Sequence, residues 1–354
     1  MARPSGLNTA VYQSLDDYSK GLLVNAIKNQ TPFLNAVEAR GLKKRAAIGR
    51  NVKFNVVAHI TTQGKLIAGN DAWAFAGDNP LERASTTGTI WIRPMQYNLQ
   101  DEMENADAFR VTELVRAIMI PVEQEAADRI ERSLIRSNTS NVATYASDAT
   151  LELSGLPDIV HVSAAAASDN TLYGIDRSVA ANSYFQNAID AVGAVGTNAA
   201  TLIEKMHDMK RTLQSRGARA DLIVSQEIPY SAYVRGVQAS LRRDVPTSGI
   251  FVKLDQAYKT PGVLFEGAEV IYDHNLEDTT YDAAFDGDEC MYFVDSSMYR
   301  YVVQPGNWDM YVHPWVRPKG DSEQLVNKTF MQHKWTAYHQ NPRNTGVLYD
   351  ISAT

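Results

Sequence analysis

Cysteine is nearly absent from this chain. Cys290 is the only one in 354 residues, so no intrachain disulfide can form and no set of thiols can hold zinc. The fold is therefore expected to hold by packing alone, in a reducing compartment. Long apolar runs are missing too. No segment approaches the ~18 consecutive apolar residues of a spanning helix, and the opening "MARPSGLNTAVYQSLDDYSKGLL" has no apolar run before a small-residue cleavage site. Neither secretion by that route nor a membrane span is expected. Positive charge is in deficit, since 34 Lys and Arg face 41 Asp and Glu for a formal net charge of -7. Polyanion affinity rests on cations that neutralise phosphates, so a dedicated, tight nucleic-acid binder is excluded.

The familiar catalytic patterns are also missing. A phosphate-binding loop needs Gly at both ends of its four-residue gap so that backbone amides can approach the phosphates, and "HITTQGK" has His59 at the first of those positions. No HExxH metal helix, GxSxG elbow or GxGxxG turn occurs. No cofactor is implied.

What is present is ordinary globular material: 44% hydrophobic and 21% charged residues, which excludes collagen-like, coiled-coil and wholly disordered chains. The length allows one large domain or two to three smaller ones. Residues 1–50 are mixed, with a helix expected in "DDYSKGLLVNAIKN". From 51 to 98 the β-rich runs "NVKFNVVAHI" and "TGTIWIRPMQYNL" flank about 28 residues rich in Gly, Asn, Asp and Thr. Hairpin loops usually hold ~2–5 residues, so this reads as an excursion away from the body. The strongest helical signal follows, with Val111, Leu114, Val115, Ile118, Val122, Ala126, Ile130 and Leu134 three or four apart. It predicts one long amphipathic helix near 106–137, kinked or split at Pro121.

"DIVHVS" reads as a strand. "NAATLIEKMHDMKRTLQSRG" reads as a helix, with Asn198 as N-cap and Gly217 as its stop. "ADLIVS" reads as a buried strand and "QEIPYSAYVRGVQASL" as another helix. "VLFEGAEVIYD", "CMYFVD", "YRYVVQ", "DMYVHPWV" and "NKTFMQHKWTAYHQ" are strands separated by turn residues. The class is α+β, with a long helix early and antiparallel strands late.

Several clusters have two readings each. The basic residues Lys43, Lys44, Arg45 and Arg50 form either a solvated linker or an arm against a neighbouring subunit or packaged nucleic acid. Arg235, Arg242 and Arg243 form either a solvated face or inter-subunit ion pairs, where a guanidinium can grip a carboxylate with two bonds. The run Asp273, Glu277, Asp278, Asp282, Asp286, Asp288 and Glu289 reads as a solvated acidic loop, with cation binding as the alternative. His333 and His339, six apart around Trp335, share a strand face and read as sheet residues rather than metal ligands. The Met-rich face of the second helix reads as core.

The order of these features resembles the major capsid proteins of tailed bacteriophages, which have the Hong Kong 97-like (HK97-like) fold. The phrases "YGIDRS", "LIVSQEIPYSAYVRGV", "VLFEGAEVIYDHN", "CMYFVDSSMYRYVVQP" and "NPRNTGVLYDI" are similar to the wording of such sequences. The resemblance implies an N-terminal arm over 1–50, an extended β-hairpin E-loop over 51–98, and a P domain over 99–190 that contains the long spine helix. An inserted A domain over 191–290 follows, and 291–354 complete the P domain, the C-terminal strands closing its sheet.

The implied function is structural and not enzymatic. Copies would self-assemble as pentamers and hexamers into an icosahedral virion capsid around double-stranded DNA, without sequence-specific binding, after synthesis in the host cytoplasm. A separate scaffolding protein and a portal are implied as partners, with a decoration protein as a further one. E-loop tip residues Leu66, Ile67, Trp73 and Phe75 would be buried against a neighbour. No Lys65 crosslink to Asn341 or Asn344 is expected. The competing readings are an encapsulin-like compartment that encloses cargo enzymes, and a hydrolase built on Asp286 and Asp288.

Overall fold

The computed structural model describes residues 31–49, 51–57, 81–98, 108–135, 153–161, 171–195, 200–241, 263–276, 289–307, 309–315 and 326–352. The helix expected at 16–29 and the acidic residues 277–288 lie outside these.

Two sheets and a long helix form the body. Helix α1 (Pro32–Ala39) was not foreseen; Pro32 opens it, and it buries Phe33, Leu34, Ala36 and Val37. Strand β1 (Lys43–Arg45) follows, then β2 (Asn51–Val57), β3 (Leu81–Thr87) and β4 (Thr89–Asn98). Helix α2 (Ala108–Ile135) is 28 residues long, about 42 Å at 1.5 Å per residue, and runs unbroken across Pro121. It buries Val122, Ala126, Ile130 and Leu134 of the stripe that the sequence periodicity marked, with Ile118 half-buried, and adds Met119, which the periodicity did not mark. The "DIVHVS" segment corrects its expectation: Leu156–Ile159 is a helical turn, α3, because Asp158 Oδ2 folds back to accept the Gly155 N–H at 2.9 Å. Helix-start chemistry outweighed β-branched composition there.

The five-stranded sheet runs β1, β12 (Tyr299–Val303), β14 (Val326–His339), β13 (Tyr311–Val312), with β4 also paired to β14. The six-stranded sheet runs β7 (Ala188–Ala194), β15 (Gly346–Ser352), β11 (Glu289–Val294), β8 (Leu222–Ser225), β10 (Ala268–Tyr272), β9 (Val263–Phe265). Strands β5 (Thr171–Leu172) and β6 (Ile175–Asp176) form a small hairpin. The chain's last strand therefore does not extend the sheet of β14, as the sequence reading had it. It enters the six-stranded sheet between β7 and β11, antiparallel to β11 and parallel to β7.

That sheet is apolar on both faces, which explains its near-continuous hydrophobic strands. Leu222, Val224, Tyr292, Val294 and Val347 face the core shared with α1, α2 and the other sheet. Their neighbours Ile223, Met291, Phe293 and Leu348 face a second core beneath α4 (Ala200–Ser215) and α5 (Glu227–Leu241). Helix α4 supplies Leu202, Met206, Met209 and Leu213 to that core, as its spacing predicted. It stops at Gly217, whose φ of +84° suits glycine. The N–H of Ala218 reaches Leu213 O and that of Gly217 reaches Gln214 O, the paired bonds of a Schellman cap.

Candidate assembly surfaces

Strand β2 pairs with β3 in register from Asn51–Thr87 to Val57–Leu81. The sequence reading paired the same stretch with the run that becomes β4. The polar "LERASTT" hid the true partner, and after Gly88 the chain crosses to β14 instead. The β2–β3 ribbon is anchored at its base by aromatic rings. Phe54 stacks on Tyr338 at 4.2 Å and meets Tyr173 edge-on at 5.3 Å. Tyr173 occupies the left-handed region at φ 56°, an uncommon place for a bulky residue. Its position is fixed from three sides: its carbonyl accepts Ser85 N–H at 3.0 Å, its hydroxyl accepts His339 N–H at 3.0 Å, and its ring meets Phe54. Thr336 Oγ1 donates to Thr87 O, and Lys334 Nζ to Ile48 O. The expected tip residues Leu66, Ile67, Trp73 and Phe75 lie outside the described residues.

The second surface escaped the sequence reading. On the β4–β14 ladder, Ile90 pairs with Lys334, Ile92 with Gln332 and Pro94 with Phe330, all on the face away from the core. Ile90, Ile92 and Phe330 are 46%, 55% and 36% exposed, and together with the exposed Pro94 they make an apolar stripe. Their in-line neighbours Trp91 and Met95 pack inward. The signal was available in "TIWIRPM": apolar residues at successive positions indicate a strand that wants cover on both faces. Pro94, which cannot donate to a ladder, fits an edge strand.

The basic cluster is neither a linker nor wholly free. Lys43, Lys44 and Arg45 are strand β1, parallel to Tyr301–Val303 of β12. Lys43 pairs with Glu38 at 3.0 Å and Arg45 with Asp309 at 2.9 Å, while Lys44 is exposed. Arg50 is outside the described residues. Arg235 is exposed on α5 with no ion pair among the described residues; Arg242 and Arg243 lie outside them.

The ends of the acidic run are structural rather than solvated. Asp273 is fully buried, and Glu289 accepts the Ile228 N–H at 2.6 Å at the start of α5. Buried polar groups instead join the two sheets. Asp295, between β11 and β12, accepts Ser297 N–H, Arg219 N–H and an Asn344 amide hydrogen. His339 Nε2 lies 3.1 Å from Asp295 O, and its Nδ1 accepts Asn341 N–H; burial lowers its pKa to about 4. His333 sits on the same strand face, its Nε2 3.2 Å from the Tyr301 hydroxyl and its Nδ1 accepting the Met310 N–H at 3.2 Å. The histidines thus serve separate hydrogen-bond networks. Arg177 of the "YGIDRS" phrase is buried and holds the carbonyls of Asp158 and Ile159, and burial lowers its pKa to about 10.

Among the described residues no group of three or more His, Cys, Asp or Glu could hold a metal ion, and no helix is long and apolar enough to cross a membrane.

No protein-family model matches the chain, and no curated protein sequence does. Solved structures do. A subunit of the cyanophage A-1(L) capsid asymmetric unit aligns over 92% of this chain and 93% of its own, at 13% identity and a TM-score of 0.57. The SrpI encapsulin of Synechococcus elongatus aligns over 92% and 91%, at 11% identity and 0.52. The capsid of an empty GTA particle aligns over 89% and 90%, at 13% identity and 0.50. With its mixed helices and sheets, long helix and two-sheet body, the chain has the HK97-like fold of phage capsid proteins.

Proposed function

We propose that this chain is the major capsid (head) protein of a tailed phage, a virion structural protein and not an enzyme. Its copies self-assemble through pentamers and hexamers into an icosahedral shell around double-stranded DNA. The observation that carries this reading is the fold match to a phage capsid subunit over more than nine-tenths of both chains. The exposed stripe of Ile90, Ile92, Pro94 and Phe330 supports it, because large apolar surface left in water marks a face that another surface covers.

In this reading the β2–β3 ribbon is the base of the E-loop, and Leu66, Ile67, Trp73 and Phe75 at its tip are buried on a neighbouring subunit. Helix α2 and the five-stranded sheet form the P domain, and residues 1–50 the N-terminal arm. The six-stranded sheet with α4 and α5 forms the A domain, so β11 and β15 belong with it rather than with the P domain. Arg235, Arg242 and Arg243 pair with carboxylates of the next subunit. A separate scaffolding protein and a portal complete the particle, a decoration protein can coat it, and DNA is enclosed without sequence readout. Assembly takes place in the host cytoplasm.

Electron microscopy of the purified chain, with and without a candidate scaffolding protein, tests the proposal. Closed shells, tubes or free pentamers and hexamers are expected. A monodisperse monomer or dimer under every condition sinks it. The encapsulin match supports a second reading, a compartment for cargo enzymes; shells isolated from the native source that carry protein cargo and no DNA would select it.

A further inference from the structure

The most unusual chemistry in the molecule lies under helix α1. An eight-residue helix is marginal alone, and its N-cap Thr31 makes no side-chain capping bond. The cap comes from elsewhere. Glu131 of α2 accepts the Phe33 N–H on Oε1 at 2.8 Å and the Leu34 N–H on Oε2 at 2.7 Å. Asp273, just after β10, accepts the same Phe33 N–H on Oδ2 at 3.3 Å and the Asn275 N–H on Oδ1 at 2.9 Å. Both carboxyls are fully buried, and they converge on the Phe33 N–H. No Lys or Arg pairs with either among the described residues.

Two buried carboxyls that meet on one N–H, with no cation paired to them among the described residues, cannot both be ionised cheaply. One proton held between them leaves a single negative charge, which the orphan N–H groups and dipole of α1 accept. The Glu131 pKa is raised well above its ordinary value, by burial first and then by Asp273. The other titratable groups nearby, among the described residues, do not supply compensation. Tyr299, from the start of β12, packs its ring edge-on to Phe33 at 5.6 Å, and its buried hydroxyl has no hydrogen-bond partner among the described residues. Glu123, two turns earlier on α2, is itself buried, with a pKa raised to about 7. His274 is exposed, while Glu38 and Arg40 at the far end of α1 are paired with Lys43 and Glu269.

We infer that Glu131 and Asp273 form a one-proton latch that docks α1 on the long helix, and that removing the proton undocks α1. Because the raised group favours its protonated form, docking is complete at low pH and weakens as pH rises through the folded-state pKa. Two like charges then face each other beneath the helix, and displacement of α1 lets water in.

The test uses the purified full-length, unassembled chain, so its outcome is separate from that of the capsid reading. Amide hydrogen exchange, corrected for intrinsic rates, is followed over Phe33–Val37, with Met291–Val294 of β11 as internal control, from about pH 6 to about pH 9. Protection of α1 is expected to fall at least about tenfold while that of β11 holds. In Asp273→Asn the amide NH2 donates to Glu131 in place of the shared proton, and α1 should stay protected throughout; Glu131→Gln keeps one acceptor for the two N–H groups of Phe33 and Leu34, and should weaken α1 protection to the same extent at every pH. Glu131→Ala should leave α1 unprotected at every pH. Constant α1 protection in the wild type, or the same fall in both amide variants, overturns the latch. So does loss of β11 protection in Asp273→Asn at the lower pH, since its amide oxygen still accepts the Asn275 N–H while its NH2 donates to Glu131.

Discussion

The two sheets differ in what they leave uncovered. In the six-stranded sheet, alternate residues of β8, β11 and β15 enter two cores, both filled from within the subunit. In the five-stranded sheet, Trp335, Tyr301 and Met331 enter a core, but the opposite face of β4 and β14 offers Ile90, Ile92 and Phe330 to solvent. One sheet is finished by its own chain. The other is finished on one side only, and burying its apolar stripe is free energy still available to association.

Breaking the finished sheet should have the largest effect. Phe293 is fully buried beneath α4 and α5, so Phe293→Ala is expected to cost about 3–5 kcal/mol of subunit stability, read as a lower denaturation midpoint. A loss under about 1 kcal/mol would mean that this sheet is not the independent core described above.

Acid should act next, at the joint between the sheets. His339 is folded in its neutral form with a pKa near 4, against about 6.5 when unfolded. Its contribution is therefore fully present above about pH 6.5 and lost as pH falls toward 4, by up to about 3 kcal/mol. Denaturation series at several pH values check this, and His339→Asn should flatten the slope across that window. An equal slope in the variant would place the acid sensitivity elsewhere.

The open face should respond least in stability and most in assembly. Ile92→Lys lies at a site already 55% exposed, so subunit stability is expected to change by no more than about 0.5 kcal/mol. Shell formation, scored by light scattering and microscopy, should fail or slow. Normal shells from this variant would leave the stripe without a role in the contacts between copies.

Much of the fold was legible because its signals are local. The α2 period, the Gly217 stop of α4 and the buried runs of β8 and β11 depend on residues within a few positions of one another. Helix α1 was not legible: "PFLNAVEA" is short, and its cap arrives from Glu131, 97 residues beyond Leu34. The β2 partner was misassigned because "LERASTT" carries little β composition, and pairing across the 23 residues from 58 to 80 leaves no local mark.

The candidate surfaces divide in the same way. Apolar tip residues and Arg clusters can be named from composition, yet which of them meet another subunit is a property of the assembled surface. Asp273 makes the point within one chain, since it reads as part of an acidic loop and is a buried partner of a helix cap.

By itself the sequence determined the types of the longer elements, the α+β class and the core faces of α2 and α4, because propensity, periodicity and turn chemistry act over short range. Tertiary structure alone decided that β15 enters the six-stranded sheet, that Glu131 and Asp273 meet beneath α1, and that the outer face of β4 stays open. Those outcomes depend on which distant surfaces exclude water from one another, and a linear pattern does not record that.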